Sequence, residues 1–399
     1  MVSTDTRTSG TPPAGATTRD ELVATARQLG PLIREHAGEG ERDRRLPSAT
    51  AAALDRAGFF RLCRPRSLHG LEADPLTVID VVEELACHDA SAAWCALNGG
   101  IAGLLQAYLP PEANRDISTA PDAVVNGVIA PAGRAAAADD GYRVTGRWTF
   151  VSNCHHCTWL ALTCIVDTGD LRGASDPPEL VMVWVPASDW RISDTWDPFG
   201  LRATGSHDVE VDDVFVPEHR ALAVPFPDPI LSGALSRFPV VGLFSVGIAS
   251  AALGVARAAI DELVRLAQHK TPFGMASPLA TRPTAQIALC DATATTRSAR
   301  ALLLEETARV WELARNEMPI SAAQQGSLRL AATHAAAAAA RAVDSTYSAA
   351  GASAIHTASP MQQCLRDVRV ITQHLFVAAP TYEMVGKILL GVETDGFML

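Results

Sequence analysis

Lysine is nearly absent from this chain of 399 residues, which contains only Lys270 and Lys387. Arginine therefore carries almost all the positive charge, and the basic residues are scattered along a chain whose net charge is -11 at pH 7. A protein that binds nucleic acid through its phosphates needs a concentrated basic surface. The composition therefore argues against a nucleic-acid partner.

Long apolar runs are also missing, since no uninterrupted run reaches the roughly 18 to 20 residues that span a bilayer. The N-terminus is rich in Ser, Thr, Pro and Gly and lacks the basic and apolar regions of a secretory signal. We therefore expect a cytoplasmic protein without a membrane segment. The eight cysteines are scattered, so we expect reduced thiols and no disulfide framework.

Half of a zinc-binding pattern occurs at Cys154-His155-His156-Cys157. A structural zinc site needs four ligands, and no second ligand pair stands at a suitable spacing. The flanking residues 148–151 and 159–162 have the composition of strands. We therefore expect no metal here.

The hydrophobic pattern changes twice along the chain, and 48% apolar content is enough for a large core. Helical periodicity at residues 21–36, 47–60 and 75–99 predicts an N-terminal helical domain, residues 19–122, after a disordered segment, residues 1–18. Alternating residues then predict a middle β domain, residues 123–222.

The helical pattern returns after a proline-rich connector and predicts a C-terminal helical domain, residues 223–399. Its four long segments, at about 236–269, 283–315, 320–350 and 360–390, indicate a four-helix bundle. The predicted fold is a multi-domain α+β protein in the order helical domain, β barrel or sandwich, four-helix bundle.

Several short motifs in this order resemble the acyl-CoA dehydrogenase superfamily. Residues 146–153 read Gly-Arg-Trp-Thr-Phe-Val-Ser-Asn, like the family strand beside the flavin, and residues 200–206 read Gly-Leu-Arg-Ala-Thr-Gly-Ser. Residues 270–274, Lys-Thr-Pro-Phe-Gly, resemble the family's Arg-x-x-Phe-Gly turn with lysine in place of arginine. Gly351 and the pair Arg366-Asp367 complete the set.

The residue at position 374 separates two branches of that superfamily. Acyl-CoA dehydrogenases abstract a proton with a carboxylate near this point, whereas this chain has His374 and no carboxylate until Glu383. It is similar in this respect to the flavin-dependent, two-component monooxygenases (group D). That branch includes p-hydroxyphenylacetate hydroxylase, dibenzothiophene monooxygenase and the amino-sugar nitrososynthases.

The resemblance implies an oxygenase component that uses O2 and reduced FMN or FAD, delivered by a separate NAD(P)H:flavin reductase. It implies hydroxylation of an aromatic or polyketide-like small molecule through a flavin C4a-hydroperoxide, in a homotetramer whose subunits share the flavin sites. The chain itself has neither a Gly-x-Gly-x-x-Gly fingerprint after a strand nor a Walker loop, which agrees with reduced flavin coming from a partner.

The same resemblance assigns roles to individual residues. His374 and Ser152 are the expected catalytic residues, because a reactive oxygen adduct needs hydrogen-bonding groups in an otherwise apolar pocket. Trp94 and Asn98 are expected in the substrate pocket, Asn98 standing where several relatives have a histidine. The expected cofactor-binding residues are Asn126, Trp148, Phe150, Ser152, Thr204, Ser206, Lys270 and Phe273.

Other interpretations remain open at the level of sequence. The enzyme could oxygenate the nitrogen of an amine or amino sugar, or it could be a dehydrogenase with its base moved to Glu383. A third interpretation is a helical scaffold with a degenerate flavin pocket. Locally, His374 could be a structural histidine on a helix face, Asn126 and Ser206 turn residues, and Trp148 and Phe150 core residues.

Overall fold

The computed structural model describes residues 17–119, 123–167, 178–274 and 276–392. The disordered N-terminus predicted for residues 1–18 lies outside these ranges except for Thr17 and Thr18. Within them, helices precede and follow a single sheet, as the sequence predicts.

The N-terminal helices are α1 (Arg19–Asp43), α2 (Ser48–Arg56), α3 (Pro75–Ala86), α4 (Ala90–Ala102) and α5 (Pro111–Ile117). Helix α1 begins at a capping box, in which the Thr18 hydroxyl accepts from the Glu21 amide and the Glu21 carboxylate accepts from the Thr18 amide. The single helix expected at residues 75–99 is two helices. The carboxylate of Asp89 accepts a hydrogen bond from the Ala92 amide and starts α4 in a new direction.

The sheet contains seven strands: β1 (Val125–Ala138), β2 (Gly141–Trp148), β3 (Trp159–Asp167), β4 (Leu180–Pro186), β5 (Arg191–Ser193), β6 (Asp208–Pro217) and β7 (Ala221–Val224). Their order across the sheet is β5-β6-β2-β1-β3-β4-β7, and among the strands of the described residues β1 and β3 are the one parallel pair. The parallel pairing brings the start of β1, with Asn126, beside the start of β3. Residues 149–158, which link β2 to β3, lie at this end of the two strands.

The C-terminal part contains α6 (Ala234–Arg237), α7 (Val240–His269), α8 (Pro283–Arg315), α9 (Ala322–Ala350), α10 (Pro360–Ile371) and α11 (Pro380–Leu389). The helix expected at residues 360–390 is therefore interrupted. The chain leaves the helix after Ile371 and starts another at Pro380, which fits the first turn of a helix because its missing N–H is not needed there. His374 lies in the turn between them and not on a helix.

Helix α7 is the central element of the core. Among the described residues it is the one helix long and apolar enough to cross a membrane, but most of its apolar window is buried inside the protein. It packs against α3, α4 and α9, and a Cβ added at Gly254 would lie 2.4 Å from the carbonyl oxygen of Glu83. The backbones of α7 and α3 are therefore in direct contact at Gly254. This contact is reinforced by ion pairs of Arg257 with Glu83 and Glu84, at 3.3 and 2.7 Å.

Candidate active site between the sheet and the helices

The loop that follows β2 has an unusual backbone. Phe150 and Asn153 adopt positive φ angles of 61° and 59°. Such angles are uncommon for residues other than glycine, and the surrounding structure has to hold them in place. Here the Val151 amide donates to the His207 carbonyl at 3.1 Å and the Asn153 amide donates to the Thr204 carbonyl at 2.8 Å. The loop therefore presents Ser152 to helix α4 and to residues 201–206.

Four side chains form a continuous hydrogen-bonded chain around Ser152. The indole N–H of Trp94 donates to Ser152 Oγ at 3.0 Å, and Ser152 Oγ lies 2.8 Å from Ser206 Oγ. Ser206 Oγ lies 2.7 Å from Thr204 Oγ1, which donates to the Leu201 carbonyl at 2.8 Å. We call this series, from Trp94 to the Leu201 carbonyl, the serine relay.

The serine relay has only one direction of donation. An indole N–H can only donate, a carbonyl can only accept, and each hydroxyl has one proton. Because Thr204 donates to the Leu201 carbonyl, Ser206 must donate to Thr204 and Ser152 must donate to Ser206. Ser152 Oγ is then left with one lone pair. It can accept a hydrogen bond from a ligand, but it cannot donate one.

Asn126 holds Ser152 from the other side. Its amide nitrogen donates to the Ser152 carbonyl, and its amide oxygen accepts from the Gly127 amide at 2.8 Å. The side chain is buried, and both ends of its amide are used within the protein. Asn126, expected to contact the cofactor, therefore serves in this structure to position Ser152.

His374 lies in an aromatic pocket. Its ring centroid is 5.4 Å from that of Trp94 and 5.2 Å from that of Phe376, and Phe244 packs on Phe376 at 6.1 Å. The Phe376 amide donates to His374 Nδ1 at 3.3 Å, so Nδ1 is unprotonated and the proton of the neutral ring is on Nε2.

The environment keeps His374 neutral. Burial, with a smaller contribution from the Arg329 guanidinium, lowers the pKa of His374 to about 4. A neutral imidazole with an engaged Nδ1 is a hydrogen-bond donor through Nε2 and a poor proton acceptor. The arrangement favours donation to a bound oxygen over abstraction of a proton from substrate.

Two other predicted residues have different surroundings. Trp148 is completely buried, its indole N–H donates to the Thr163 carbonyl at 2.8 Å, and a Cβ at Gly133 would lie 2.1 Å from its ring. We therefore correct its predicted cofactor contact and assign it to the core. Phe150 is 72% exposed, with its ring 6.0 Å from that of Trp196, so it is open to a ligand.

Asn98 lies one turn after Trp94 on α4. Its amide nitrogen donates to the Trp94 carbonyl at 2.8 Å, a common use of a short polar side chain within a helix. The amide oxygen is the part left for a ligand. Asn98 is partly buried beside Trp94, in the region where the sequence places the substrate.

Lys270 and Phe273 are not near Ser152. Lys270 follows the last turn of α7 and donates to the Ala350 carbonyl at 2.6 Å, whereas Phe244, near the start of α7, packs with Phe376. Lys270 comes 26 residues after Phe244, a separation of about 39 Å along the helix. Phe273 is fully exposed beside a cavity of about 620 Å³, which Gly351 also lines. These residues therefore form a second site at the opposite end of the bundle.

Helix α10 holds the loop that carries the serine relay. The Asp367 carboxylate accepts from the Leu201 amide at 2.7 Å, and Arg366 donates to the Phe199 carbonyl at 2.8 Å. A Cβ at Gly200 would lie 2.4 Å from the Arg366 carbonyl oxygen, so this contact requires glycine. The Gly-Leu-Arg-Ala-Thr-Gly-Ser and Arg-Asp motifs are thus two halves of one contact.

Arg329 is a site residue that the sequence did not reveal. It is buried on α9, with its guanidinium carbon 5.6 Å from the Phe376 ring and a nitrogen 3.5 Å from Thr381 Oγ1. Burial lowers its pKa to about 10. Its one signal in the sequence is an arginine at the edge of an alanine-rich helix, which alone does not identify its neighbours.

The Cys154-His155-His156-Cys157 segment folds as a turn. The two thiols donate to the Gly205 and Asn153 carbonyls at 3.2 and 3.1 Å. Burial raises the pKa of Cys154 to about 12. Over the described ranges, no group of three or more His, Cys, Asp or Glu side chains is arranged to hold a metal ion.

Comparisons with known proteins identify the family of the chain. Residues 246–379 match the family of the acyl-CoA dehydrogenase C-terminal domain. The chain is 33% identical to the indole-3-acetate monooxygenase of Pseudomonas putida, over 90% of each protein. It is 30% identical to the oxygenase component of the FADH(2)-dependent resorcinol hydroxylase of Rhizobium sp. (strain MTP-10005), over 96% of this chain and 97% of that protein.

Solved structures are similar over nearly the whole chain. The 3-HSA hydroxylase of Rhodococcus sp. RHA1 has a TM-score of 0.88 and 26% identity, covering 96% of this chain and all of that one. XiaF from Streptomyces sp., in complex with FADH2 and glycerol, has a TM-score of 0.88 and 28% identity, covering 94% and 96% of the two chains.

Proposed function

Because this chain belongs to the flavin-dependent monooxygenases with an acyl-CoA dehydrogenase fold, we propose that it is the oxygenase component of a two-component hydroxylase. A separate NAD(P)H:flavin reductase supplies the reduced flavin, and the substrate is a small aromatic molecule. One atom of O2 enters the substrate as a hydroxyl group and the other leaves as water, with two electrons from the flavin. The direction of the serine relay is the observation that carries the proposal.

Reduced flavin fits the residues around Ser152. Flavin N5 bears a hydrogen when the flavin is reduced and is a bare acceptor when it is oxidised. Ser152 can accept and cannot donate, so it suits the reduced form. The exposed Phe150 ring, held on a positive-φ residue of the same loop, offers an apolar surface for the flavin ring.

The protein's own residues supply the rest of the proposed chemistry. When bound beside Ser152, reduced flavin would supply the two electrons that activate O2. His374 donates a hydrogen bond from Nε2 towards the bound oxygen, while Trp94 and Phe376 exclude water from around it.

Acyl-CoA dehydrogenation with a relocated base receives no support from the site. Glu383 is exposed on α11 and forms an ion pair with Lys387 at 2.7 Å. The Lys387 ammonium holds the pKa of Glu383 below its usual value, which makes it a weaker base.

One experiment tests the proposed function directly. The purified protein receives photochemically reduced FAD or FMN, then 18O2 and an aromatic substrate such as resorcinol or indole, and the product is analysed by mass spectrometry. We expect one 18O atom per hydroxylated product and no product when the flavin is supplied oxidised. Tightly bound oxidised FAD that is bleached by an acyl-CoA would show instead that the protein is a dehydrogenase.

The second site, around Lys270 and Phe273, has a place in this proposal if the protein is a homotetramer. Since it lies about 39 Å along α7 from the level of His374, it cannot complete the flavin site of its own chain. We propose that it holds the adenosine end of an FAD whose ring lies at Ser152 of a neighbouring subunit.

Replacing Phe273 by alanine should then weaken reduced FAD binding about tenfold, the effect of losing roughly 1.4 kcal/mol of contact, with little change for reduced FMN. Phe215→Ala, at an exposed aromatic on β6, is the matched control. Flavin titration and light scattering measure the outcome. A monomer whose FAD affinity is the same in all three proteins would contradict shared sites.

A further inference from the structure

A large cavity lies between the sheet and the start of the C-terminal bundle, outside the groups assigned above. Its volume is about 690 Å³. It opens beside the proline-rich connector after β7 and is bounded by β1 and by the first turns of α7 and α9. Its walls include Ile129, Phe226, Phe238, Val240, Ile320 and Gln325.

The cavity adjoins the His374 pocket along two helices. Val240 and Phe244 are four residues apart on α7, and residues so spaced lie on the same face, one turn from each other. Gln325 and Arg329 are related in the same way on α9. Both Phe244 and Arg329 pack on Phe376, the neighbour of His374. One helical turn, about 5.4 Å, therefore separates the cavity wall from the pocket on each helix.

Strand β1 runs from the Ser152 loop to the cavity. Ile129 in the cavity lies three residues after Asn126, which bonds to the Ser152 backbone. Three residues of strand extend about 10 Å. The Ser152 loop and the cavity are therefore about one polycyclic molecule's length apart along this strand.

The polar groups of the lining are mostly engaged with one another. The Tyr108 hydroxyl donates to the Ser236 carbonyl at 2.8 Å, and the Ser236 hydroxyl lies 3.0 Å from both the Leu231 and the Gly233 carbonyl oxygens. Arg237 pairs with Glu317 at 3.1 Å and donates to the Ala314 carbonyl. Apolar side chains and polar groups that are already hydrogen-bonded or ion-paired thus line the cavity together.

Asp228 gives the mouth of the cavity its charge. It is exposed and lines the opening, whereas the basic residue of the lining, Arg237, is already paired. The negative charge of Asp228 would repel a carboxylate on the ligand, whereas it would not repel a neutral ligand. The cavity therefore suits a neutral molecule better than a carboxylate.

We propose that this cavity binds the part of the substrate that is not oxygenated, so that the substrate is an elongated, neutral aromatic molecule of several rings. One ring lies at His374 and the others extend over Ile129 and Val240. The proposal rests on the proposed function for the identity of the reacting ring. Volumes of 300–1,000 Å³ are typical of sites that enclose a whole small molecule, and a single ring would leave most of this cavity empty.

Binding to the full-length, flavin-free protein tests the cavity without relying on turnover. The probes are 2-phenanthrol, a neutral three-ring phenol, and phenol itself, each titrated by calorimetry. We expect 2-phenanthrol to bind the wild type at least about tenfold more tightly than phenol, because its extra rings bury apolar surface. Equal affinity for the two probes would overturn the proposal.

Two variants fill the cavity from different elements. Ile129→Trp and Val240→Trp should each weaken 2-phenanthrol binding about tenfold and change phenol binding less than about twofold, consistent with loss of the apolar contacts. Ile287→Trp, at an exposed residue of α8 that does not line the cavity, is the matched control and should change neither. Melting temperatures verify that all three variants are folded.

The possible outcomes separate the two proposals. Selective loss of 2-phenanthrol binding without any 18O incorporation would support the cavity and refute the hydroxylase function. Hydroxylation of phenol with no effect of either tryptophan on 2-phenanthrol binding would support the function and refute the cavity. An equal loss of affinity for 2-phenanthrol and phenol would also refute the cavity proposal, since that result places both ligands in one pocket.

Discussion

Replacing His374 by alanine should lower hydroxylated product on the order of 100-fold, the usual scale for loss of a positioned hydrogen-bonding group at the reacting atom, while reduced flavin still binds. The reason is the Nε2–H donor: without it, the oxygen bound at the site is released as hydrogen peroxide. The measurement is the ratio of product to peroxide under identical reduced-flavin supply. Equal loss of flavin binding and product would mean that His374 is a structural residue.

Two further variants distinguish donation from packing. His374→Gln keeps an N–H donor and should recover part of the product that alanine loses. Gln373→Ala, at the exposed neighbouring residue, should behave like the wild type. If glutamine and alanine give the same product ratio, hydrogen-bond donation is not the function of this side chain.

The pH dependence follows from the lowered pKa of His374. A histidine whose pKa is lowered to about 4 is protonated only below that pH, so it is neutral across the neutral range. We therefore expect no inflection from His374 in the product ratio between about pH 5 and 8. An inflection near the ordinary histidine value that disappears in His374→Gln would contradict a neutral donor.

Replacing Ser152 by alanine should reduce the affinity for reduced flavin about tenfold and leave that for oxidised flavin almost unchanged. One net hydrogen bond is worth about 1 to 1.5 kcal/mol, which corresponds to this factor. The asymmetry arises because the serine relay leaves Ser152 only an accepting lone pair. Fluorescence titration of each flavin form, under anaerobic conditions for the reduced form, gives the two affinities.

Thr204→Val supplies the opposite change. Without the Thr204 hydroxyl, Ser206 loses its acceptor and can turn its proton towards Ser152, which is then free to donate to a ligand. Oxidised flavin should bind more tightly in this variant, although Thr204 need not touch the flavin. If Ser152→Ala weakens both forms equally and Thr204→Val changes neither, the direction of the relay has no role in selecting the flavin.

The sequence was sufficient for the order of the elements and for most residues around Ser152. Ser152, Thr204 and Ser206 come from motifs that carry the family resemblance, and the structure joins them in one hydrogen-bonded series. Their linkage to Trp94 was not predictable, because Trp94 and Ser152 are 58 positions apart and no local pattern signals their contact.

The failures have identifiable causes. Trp148 follows the residue pattern of the flavin strand, but strand alternation does not show that a glycine on the neighbouring strand accommodates its ring. Helical periodicity continued across residues 372–379, so the turn that carries His374 was missed. Arg329 was missed because its alanine-rich helix predicts close packing and gives no information on which residues lie opposite.

The position of α7 at the centre of the core has a consequence for the nascent chain. Helix α3 leaves the ribosome early and packs against a helix that begins only at Val240, after residues 87–239 have been made. Until then α3 can pack on α1 and α4 but its contact with α7 is missing, whereas the sheet can pair its strands among themselves. The N-terminal helices and the C-terminal bundle therefore complete their folding together. A polypeptide truncated before α7 would leave apolar surface exposed, which chaperones and proteases recognise.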